Sequence, residues 1–241
     1  MTGTVLHIET LDLSVVAFDW AFARERRAEI DAHFATMLRD KPGLWNGRVL
    51  LMNSFEIAGP CMRGRYFETD FASFMAWRDF GFPDPSIRNC FALGALQGSD
   101  GAYILGVMGG GTANAGKIYF PGGTPDPSDV FGHSVDLEAS VRREVEEETG
   151  LAPDVFAIDT GWHCVMAGPL IGLLKPMAAP DTAERLRERI RAHIAGQGHP
   201  ELADAYIARG AADIDPMMPR FIQTFLRRVP AEPFIEETSR R

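Results

Sequence analysis

Cysteine is scarce in this 241-residue chain, and its three examples, Cys61, Cys90 and Cys164, stand far apart. They form no Cys-x-x-Cys pair and no even set, so a disulfide framework is not expected and a reducing cytoplasm fits. Long hydrophobic runs are missing as well. Met1-Thr2-Gly3-Thr4 sets no basic residue ahead of an apolar core, and Asp19 interrupts the most apolar early stretch, so neither a signal peptide nor a membrane span is expected. Cations are in deficit: 24 Lys and Arg against 33 Asp and Glu leave a formal charge of −9. Duplex nucleic acid is thereby a poor partner, because non-specific affinity for it comes from Lys and Arg neutralising phosphates. Small phosphorylated ligands stay open if a metal ion handles the local charge. The six histidines, His7, His33, His133, His163, His193 and His199, lack the spacing of a zinc site. Only His133 lies near acidic residues that could carry chemistry.

What is present is the balance of a globular protein, 46% hydrophobic and 24% charged, in a chain long enough for one domain with a sizeable appendage. Helical spacing of Ile30, Phe34, Met37 and Leu38 predicts a helix over 19–38, stopped by Lys41-Pro42-Gly43. Strands are expected over 48–52 and 55–65, then a helix over 70–80, then a boundary at Phe82-Pro83-Asp84-Pro85. Beyond it, strands are expected over 91–96, 103–108 and 118–120, a helix carrying the glutamates, and strands over 155–166 and 170–174. A helix opened by Asp181 with Glu184, and a last one holding Phe221, Ile222, Phe225 and Leu226, complete the order. The expected fold is α/β over 88–241, preceded by a small α+β unit over 1–87.

Glu144, Glu147 and Glu148 stand at i, i+3 and i+4, so on a helix their carboxylates leave from one face. Such a face repels itself unless cations lie between the charges, and Mg²⁺ is a hard cation that prefers carboxylate oxygen. A solvated surface face is the alternative that spacing alone leaves open. Val141 and Val145 give the helix an apolar stripe, Gly150 supplies a stop, and Phe120-Pro121-Gly122-Gly123 marks a strand ending in a loop upstream.

This combination resembles the Nudix hydrolase family, whose signature runs Gly, five residues, Glu, seven residues, then Arg-Glu-apolar-x-Glu-Glu-x-Gly-apolar. Gly123 opens it, and Arg143-Glu144-Val145-Glu146-Glu147-Glu148-Thr149-Gly150-Leu151 closes it without a mismatch. The resemblance implies an α/β/α sandwich with a mixed sheet, Mg²⁺ or Mn²⁺ on Glu144, Glu147 and Glu148, and a structural Arg143 that pairs with an acid and holds the loop against the helix. It implies catalytic roles for Glu144, Glu147 and Arg143, with Glu144 acting as, or orienting, the base. The reaction implied is hydrolysis of the diphosphate linkage of a small nucleotide substrate, such as a nucleotide sugar; the alternative is a Nudix-fold ligand-binding or regulatory protein without turnover. One part of the pattern is unmet: Gly123 and Arg143 are twenty positions apart rather than fourteen, so six extra residues enlarge the loop. Counting forward from Gly123 puts Asp129 at the glutamate position, counting back from Arg143 puts Val135 there, and Asp126, Asp129, Asp136 and Glu138 are all candidate partners of Arg143. The 1–87 unit is expected to close over the site, brace the core or form a homodimer surface.

Two other features compete for attention. Gly111 to Lys117 fits the first seven places of a phosphate-cradling Gly-x-x-x-x-Gly-Lys loop, but Ile118 lacks the required hydroxyl and opens a strand, so a turn between strands is expected, with Lys117 a candidate phosphate contact. Tyr66, Phe67, Phe71, Phe74, Trp77, Phe80 and Phe82 are dense enough to stack a nucleobase, yet helical spacing favours core packing, with one of the seven facing a ligand.

Overall fold

The protein is described here by a computed structural model over residues 3–230; Met1, Thr2 and residues 231–241, the end of the 88–241 segment, lie outside the described residues. The chain opens with two strands that its pattern did not announce, β1 (Thr4–Ile8) and β2 (Thr10–Val15). The helix expected over 19–38 is two, α1 (Ala21–Glu25) and α2 (Arg27–Asp40), because Arg26 leaves helical geometry at φ −105°, ψ 21°. That bend brings Trp20 and Phe22 into the same buried cluster as Ile30 and Phe34. The expected strands 48–52 and 55–65 are instead the two arms of one hairpin, β3 (Arg48–Ala58) and β4 (Cys61–Asp70), turning at Gly59 and Pro60. Pro60 has no N–H for the ladder and Gly59 takes φ +59°, so pairing stops there inside an otherwise strand-like run. Helix α3 (Phe71–Asp79) follows, capped by Asp70, whose side chain accepts from the Ser73 N–H at 2.9 Å.

The remaining elements are β5 (Asn89–Gln97), β6 (Tyr103–Met108), β7 (Ile118–Tyr119), β8 (Gly122–Gly123), β9 (Val130–Phe131), β10 (Ser134–Val135) and α4 (Leu137–Thr149). After α4 come β11 (Ala157–Ile158), β12 (Trp162–Ala167), β13 (Leu170–Ala178), α5 (Ala183–Gly196), β14 (Leu202–Ala208) and α6 (Arg220–Arg228). The stretch expected as one strand over 155–166 is two short strands parted by Asp159–Gly161, and β14 is an addition to the sequence reading. Thr182, not Asp181, caps α5, while Asp181 pairs with Arg185 and Arg189 along its surface. No described helix is long and apolar enough to cross a membrane.

The main sheet runs β1-β12-β13-β5-β6-β14, with β7, β8 and β11 paired off that path. It is mixed: β13 and β5 are parallel and every other neighbouring pair is antiparallel. Because successive side chains leave opposite faces of a strand, β5 serves two layers. Cys90, Ala92 and Leu96 join Val141 and Val145 of α4 and Leu186 and Ile190 of α5; Phe91, Leu93 and Ala95 join Phe221, Ile222 and Phe225 of α6. Helices therefore cover both faces, and the expected α/β/α arrangement with a mixed sheet is present.

A second sheet, β3-β4-β2-β10-β9, lies beside it. Leu51 and Phe67 face the helices α2 and α3, while Leu50 and Met52 join the main core. Strands are exchanged across residue 87: β1 pairs with β12 in the main sheet, and β10, from the enlarged signature loop, pairs with β2. The six extra residues of the loop thus belong to a small hairpin seated on the N-terminal unit. His133 lies on its turn, exposed, and is tied there through its carbonyl, which accepts from the Val15 N–H at 2.9 Å.

Candidate metal-binding site and cleft

Helix α4 begins where Asp136 accepts from the N–H groups of Glu138 and Ala139 at 3.1 and 3.0 Å, satisfying donors that the helix cannot. Leu137, Val141 and Val145 recur every four residues and are buried, which fixes the opposite face outward. It ends at Gly150, φ +67°, where a Cβ would also stand 2.4 Å from the His193 ring. The three glutamates are set by this rotation, and it treats them unequally.

Glu148 is 5% exposed. One carboxylate oxygen accepts from the Gly122 N–H at 2.9 Å; the other, Oε2, is buried with no partner among the described residues. Gly122 can make this approach only as glycine, since at φ +121° a Cβ would lie 2.4 Å from the Ala92 carbonyl oxygen. Glu144 is partly buried and receives the Arg143 guanidinium at 2.7 Å. Glu147 is exposed and stands 3.6 Å from the same guanidinium. Glu144 and Glu148 line one cleft; Glu147 sits outside its lining.

Of the four candidate partners of Arg143, Asp129 is the one in contact, at 2.8 Å and itself 4% exposed. This is the acid reached by counting forward from Gly123, so the loop enlargement falls after the contact rather than through it. The other three have separate duties: Asp126 caps the short 3₁₀ turn Pro127–Asp129, Asp136 caps α4, and Glu138 pairs with Arg142 and Lys175. Lys175 was overlooked in the sequence because it lies within an apolar strand. Its ammonium, almost wholly buried on β13, meets Glu138 at 2.8 Å, donates to the Thr160 carbonyl at 3.2 Å and sits 4.7 Å above the Trp162 ring, tying the first turn of α4 to the sheet.

The carboxylates raise one another. Burial first, and then Glu147 and Glu201, push Glu144 up to about 7 against the pull of Arg143. Glu148 is held well above the usual carboxylate range by burial, with Glu201, Glu144 and Glu147 adding to it and the Gly122 N–H opposing. Glu201, just before β14, is the acid that sequence reasoning missed: no spacing links it to α4, and the strand behind it went unrecognised. Desolvation of its carboxyl, then Glu147, raise it too, although the residue is exposed overall at the cleft rim. These are the marks of desolvated carboxylates gathered around a single cation, Arg143, which offsets their burial and mutual repulsion only in part. The three α4 glutamates do not converge: among the described residues no trio of acids, histidines or cysteines is gathered about a common cation position. Arg143 holds Glu144 and Glu147 on one side while Glu148 turns inward.

The cleft these acids open on measures about 530 Å³ and lies between the N-terminal unit and the main sheet. Lys117 lines it, as does Arg78 of α3. Residues 109–116 form a turn rather than a phosphate loop, closed on the N-terminal unit by Lys41, which donates to the Thr112 carbonyl, and by Arg78, which donates to Asn114 at 3.3 Å. Of the aromatic stretch, Tyr66, Phe67 and Trp77 are fully buried, but Phe71 and Phe74 both line the cleft.

No protein-family model and no curated protein matches this chain. Among solved structures it is similar to a Nudix hydrolase from M. smegmatis, RenU, at 15% identity and a TM-score of 0.35, over 57% of this chain and 80% of that one. It is also similar to the E. coli ORF135 protein, at 17% identity and a TM-score of 0.34, over 58% of this chain and 87% of that one. Similarities of this size carry no weight for the chemistry, which rests on the site itself.

Proposed function

We propose that the chain is a Nudix-type pyrophosphohydrolase that cleaves the diphosphate linkage of a nucleoside diphosphate derivative, such as a nucleotide sugar, with Mg²⁺ or Mn²⁺. The observation that carries this reading is the Asp129–Arg143 pair: the signature's one unmet position is filled by an acid in contact, beside an intact Arg-Glu-x-x-Glu-Glu segment. The three glutamates do not converge on one cation position, yet their donors are of the kind a hard divalent cation takes. They are carboxylate oxygens, and Oε2 of Glu148 is buried with no partner among the described residues, a state that costs free energy unless something outside the chain satisfies it.

Glu144, Glu147 and Glu148 would hold the cation, which would draw off phosphoryl charge and acidify a water. The chain's own part is then positional. Asp129 holds Arg143, and Arg143 holds Glu144, so the loop and the helix keep one spacing. Glu144 orients the attacking water or takes its proton. Lys117, exposed at the cleft, contacts the phosphate chain, and the cleft walls receive the organic part of the substrate.

The test is hydrolysis of nucleotide sugars, dinucleoside polyphosphates and nucleoside triphosphates with and without Mg²⁺, by the protein and by Glu147→Gln. Turnover that needs the metal and falls at least about a hundredfold in Glu147→Gln is expected. No metal-dependent difference between the two proteins on any substrate would sink the catalytic reading. Tight ligand binding indifferent to EDTA, without product, would favour a binding protein on the same fold.

A further inference from the structure

Helix α6 carries three arginines that neither the core nor the glutamate site uses. Phe221, Ile222, Phe225 and Leu226 are buried against the main sheet, which turns Arg220, Arg227 and Arg228 outward, and all three are exposed. Arg220, Gln223, Thr224 and Arg227 stand at i, i+3, i+4 and i+7, so they form one stripe, with Arg220 and Arg227 about 10 Å apart along the axis. The stripe borders a second cavity of about 860 Å³, between α6 and the ends of β1, β12 and β13. Surface arginines on α4 and α5 meet acids: Arg142 meets Glu138 at 2.9 Å, and Arg191 meets Asp204 at 2.6 Å. Here the lining holds three guanidinium groups and no carboxylate. Arg227 donates only to the Gln223 side-chain oxygen, at 3.3 Å, and neither Arg220 nor Arg228 has an acid within ion-pair distance among the described residues. The helix dipole does not account for the stripe. Arg227 and Arg228 in the last turn complement it, but Arg220 in the first turn opposes it, and no side chain caps that end.

We propose that this cavity is an anion-binding groove that takes a soluble small molecule bearing two or more phosphates, independently of the hydrolase reading. In a chain of net charge −9, a recess lined by arginines and no acid is a local reversal of sign, and it draws anions that the rest of the surface repels. A neutral ligand would leave the guanidinium groups repelling one another. A single anionic group would satisfy one fork, whereas an extended, multiply charged ligand spans the distance from Arg220 to Arg227. Guanidinium is the cation suited to it, because its planar fork meets phosphoryl oxygens two at a time. Three cations in a recess of this size suit a small molecule rather than a long polyanion, whose affinity grows with the number of phosphates neutralised. Phe82, Pro169 and Leu170 in the same lining give an organic body an apolar surface to lie against. Leu170 lines the glutamate cleft as well, so the two cavities are neighbours. Metal separates them: the glutamates repel phosphate unless Mg²⁺ is bound, and the arginines need no metal.

Titration calorimetry in EDTA at low ionic strength, with inorganic tripolyphosphate and ATP as probes, tests this. Both should bind, and Arg220→Gln and Arg227→Gln should each weaken binding about fivefold or more. Arg227→Lys should lose less than Arg227→Gln, because it keeps the charge and gives up the fork. Arg65→Gln, at an exposed arginine of β4 outside the groove, removes the same charge and should change the affinity by less than about twofold. No binding in EDTA, or a loss in Arg65→Gln equal to that in the α6 variants, would overturn the groove. A nonaglutamate peptide binding as tightly as tripolyphosphate, or protein that sediments with phosphatidic acid vesicles while ignoring the soluble probes, would overturn the class of ligand. Mg²⁺-dependent hydrolysis by Arg227→Gln at the rate of the unaltered protein would support a site separate from the cleft, and loss of that hydrolysis would overturn the separation.

Discussion

At the scale of single residues, the site is a set of acids kept apart by one arginine. Arg143 bridges Asp129 and Glu144 at 2.8 and 2.7 Å, while Glu148 is buried against the Gly122 N–H, its second oxygen without a partner among the described residues. Burial and mutual repulsion raise Glu144, Glu148 and Glu201, and a raised carboxylate has a definite consequence for stability. The folded chain binds these protons more tightly than the unfolded chain does, so the stability they lend is complete below the ordinary carboxylate range and is lost as pH rises through the folded values. For Glu144 that window runs from its ordinary 4.5 to about 7. Metal-free protein is therefore expected to melt at lower temperature as pH is raised from about 5 to about 8, and added Mg²⁺ should recover more of the melting temperature at the upper end. Scanning calorimetry in EDTA and in Mg²⁺ at both pH values checks it; a metal effect equal at both, or larger in acid, would contradict the site's charge balance.

At the scale of elements, α4 was legible and its neighbourhood was not. Its stripe of Val141 and Val145, its acidic face and its glycine stop are all local patterns, and they folded as read, with Leu137 extending the stripe by a turn. The stop is exacting. Gly150→Ala would place a Cβ in the left-handed region and 2.4 Å from His193 of α5, so a loss of about 1–3 kcal/mol is expected in urea unfolding. A change below about 0.5 kcal/mol would show that α4 and α5 can part there. The elements misread have separate causes. The 19–38 helix bends at Arg26, which brings Trp20 and Phe22 into one buried cluster with Ile30 and Phe34, and the 55–65 strand turns at Gly59 and Pro60, where the ladder loses a donor. Periodicity reports that a residue is buried but not by what.

At the scale of the whole molecule, the N-terminal unit and the remainder are interlocked: β1 pairs with β12, β10 with β2, and Leu50 and Met52 share the main core. The full chain is expected to unfold in one transition, with fluorescence and circular dichroism coincident, and a piece limited to 88–241 to lack a cooperative transition. An isolated 88–241 that melts cooperatively would show the exchange of strands to be dispensable. This interlocking also explains what was readable. The amino-acid order by itself determined α4, the three glutamates upon it, Gly122, and the α/β character of the segment that carries them, because each depends on neighbours within a turn or a loop. Only the tertiary structure decided that Asp129 is the partner of Arg143, that Glu201 lines the cleft, that Lys175 ties α4 to the sheet, that the enlarged loop is a hairpin seated on β2, and that Phe71 and Phe74 line the cleft as well as packing beside the core. Those contacts join residues far apart in the chain, and nothing in local spacing encodes which distant surfaces burial will bring together.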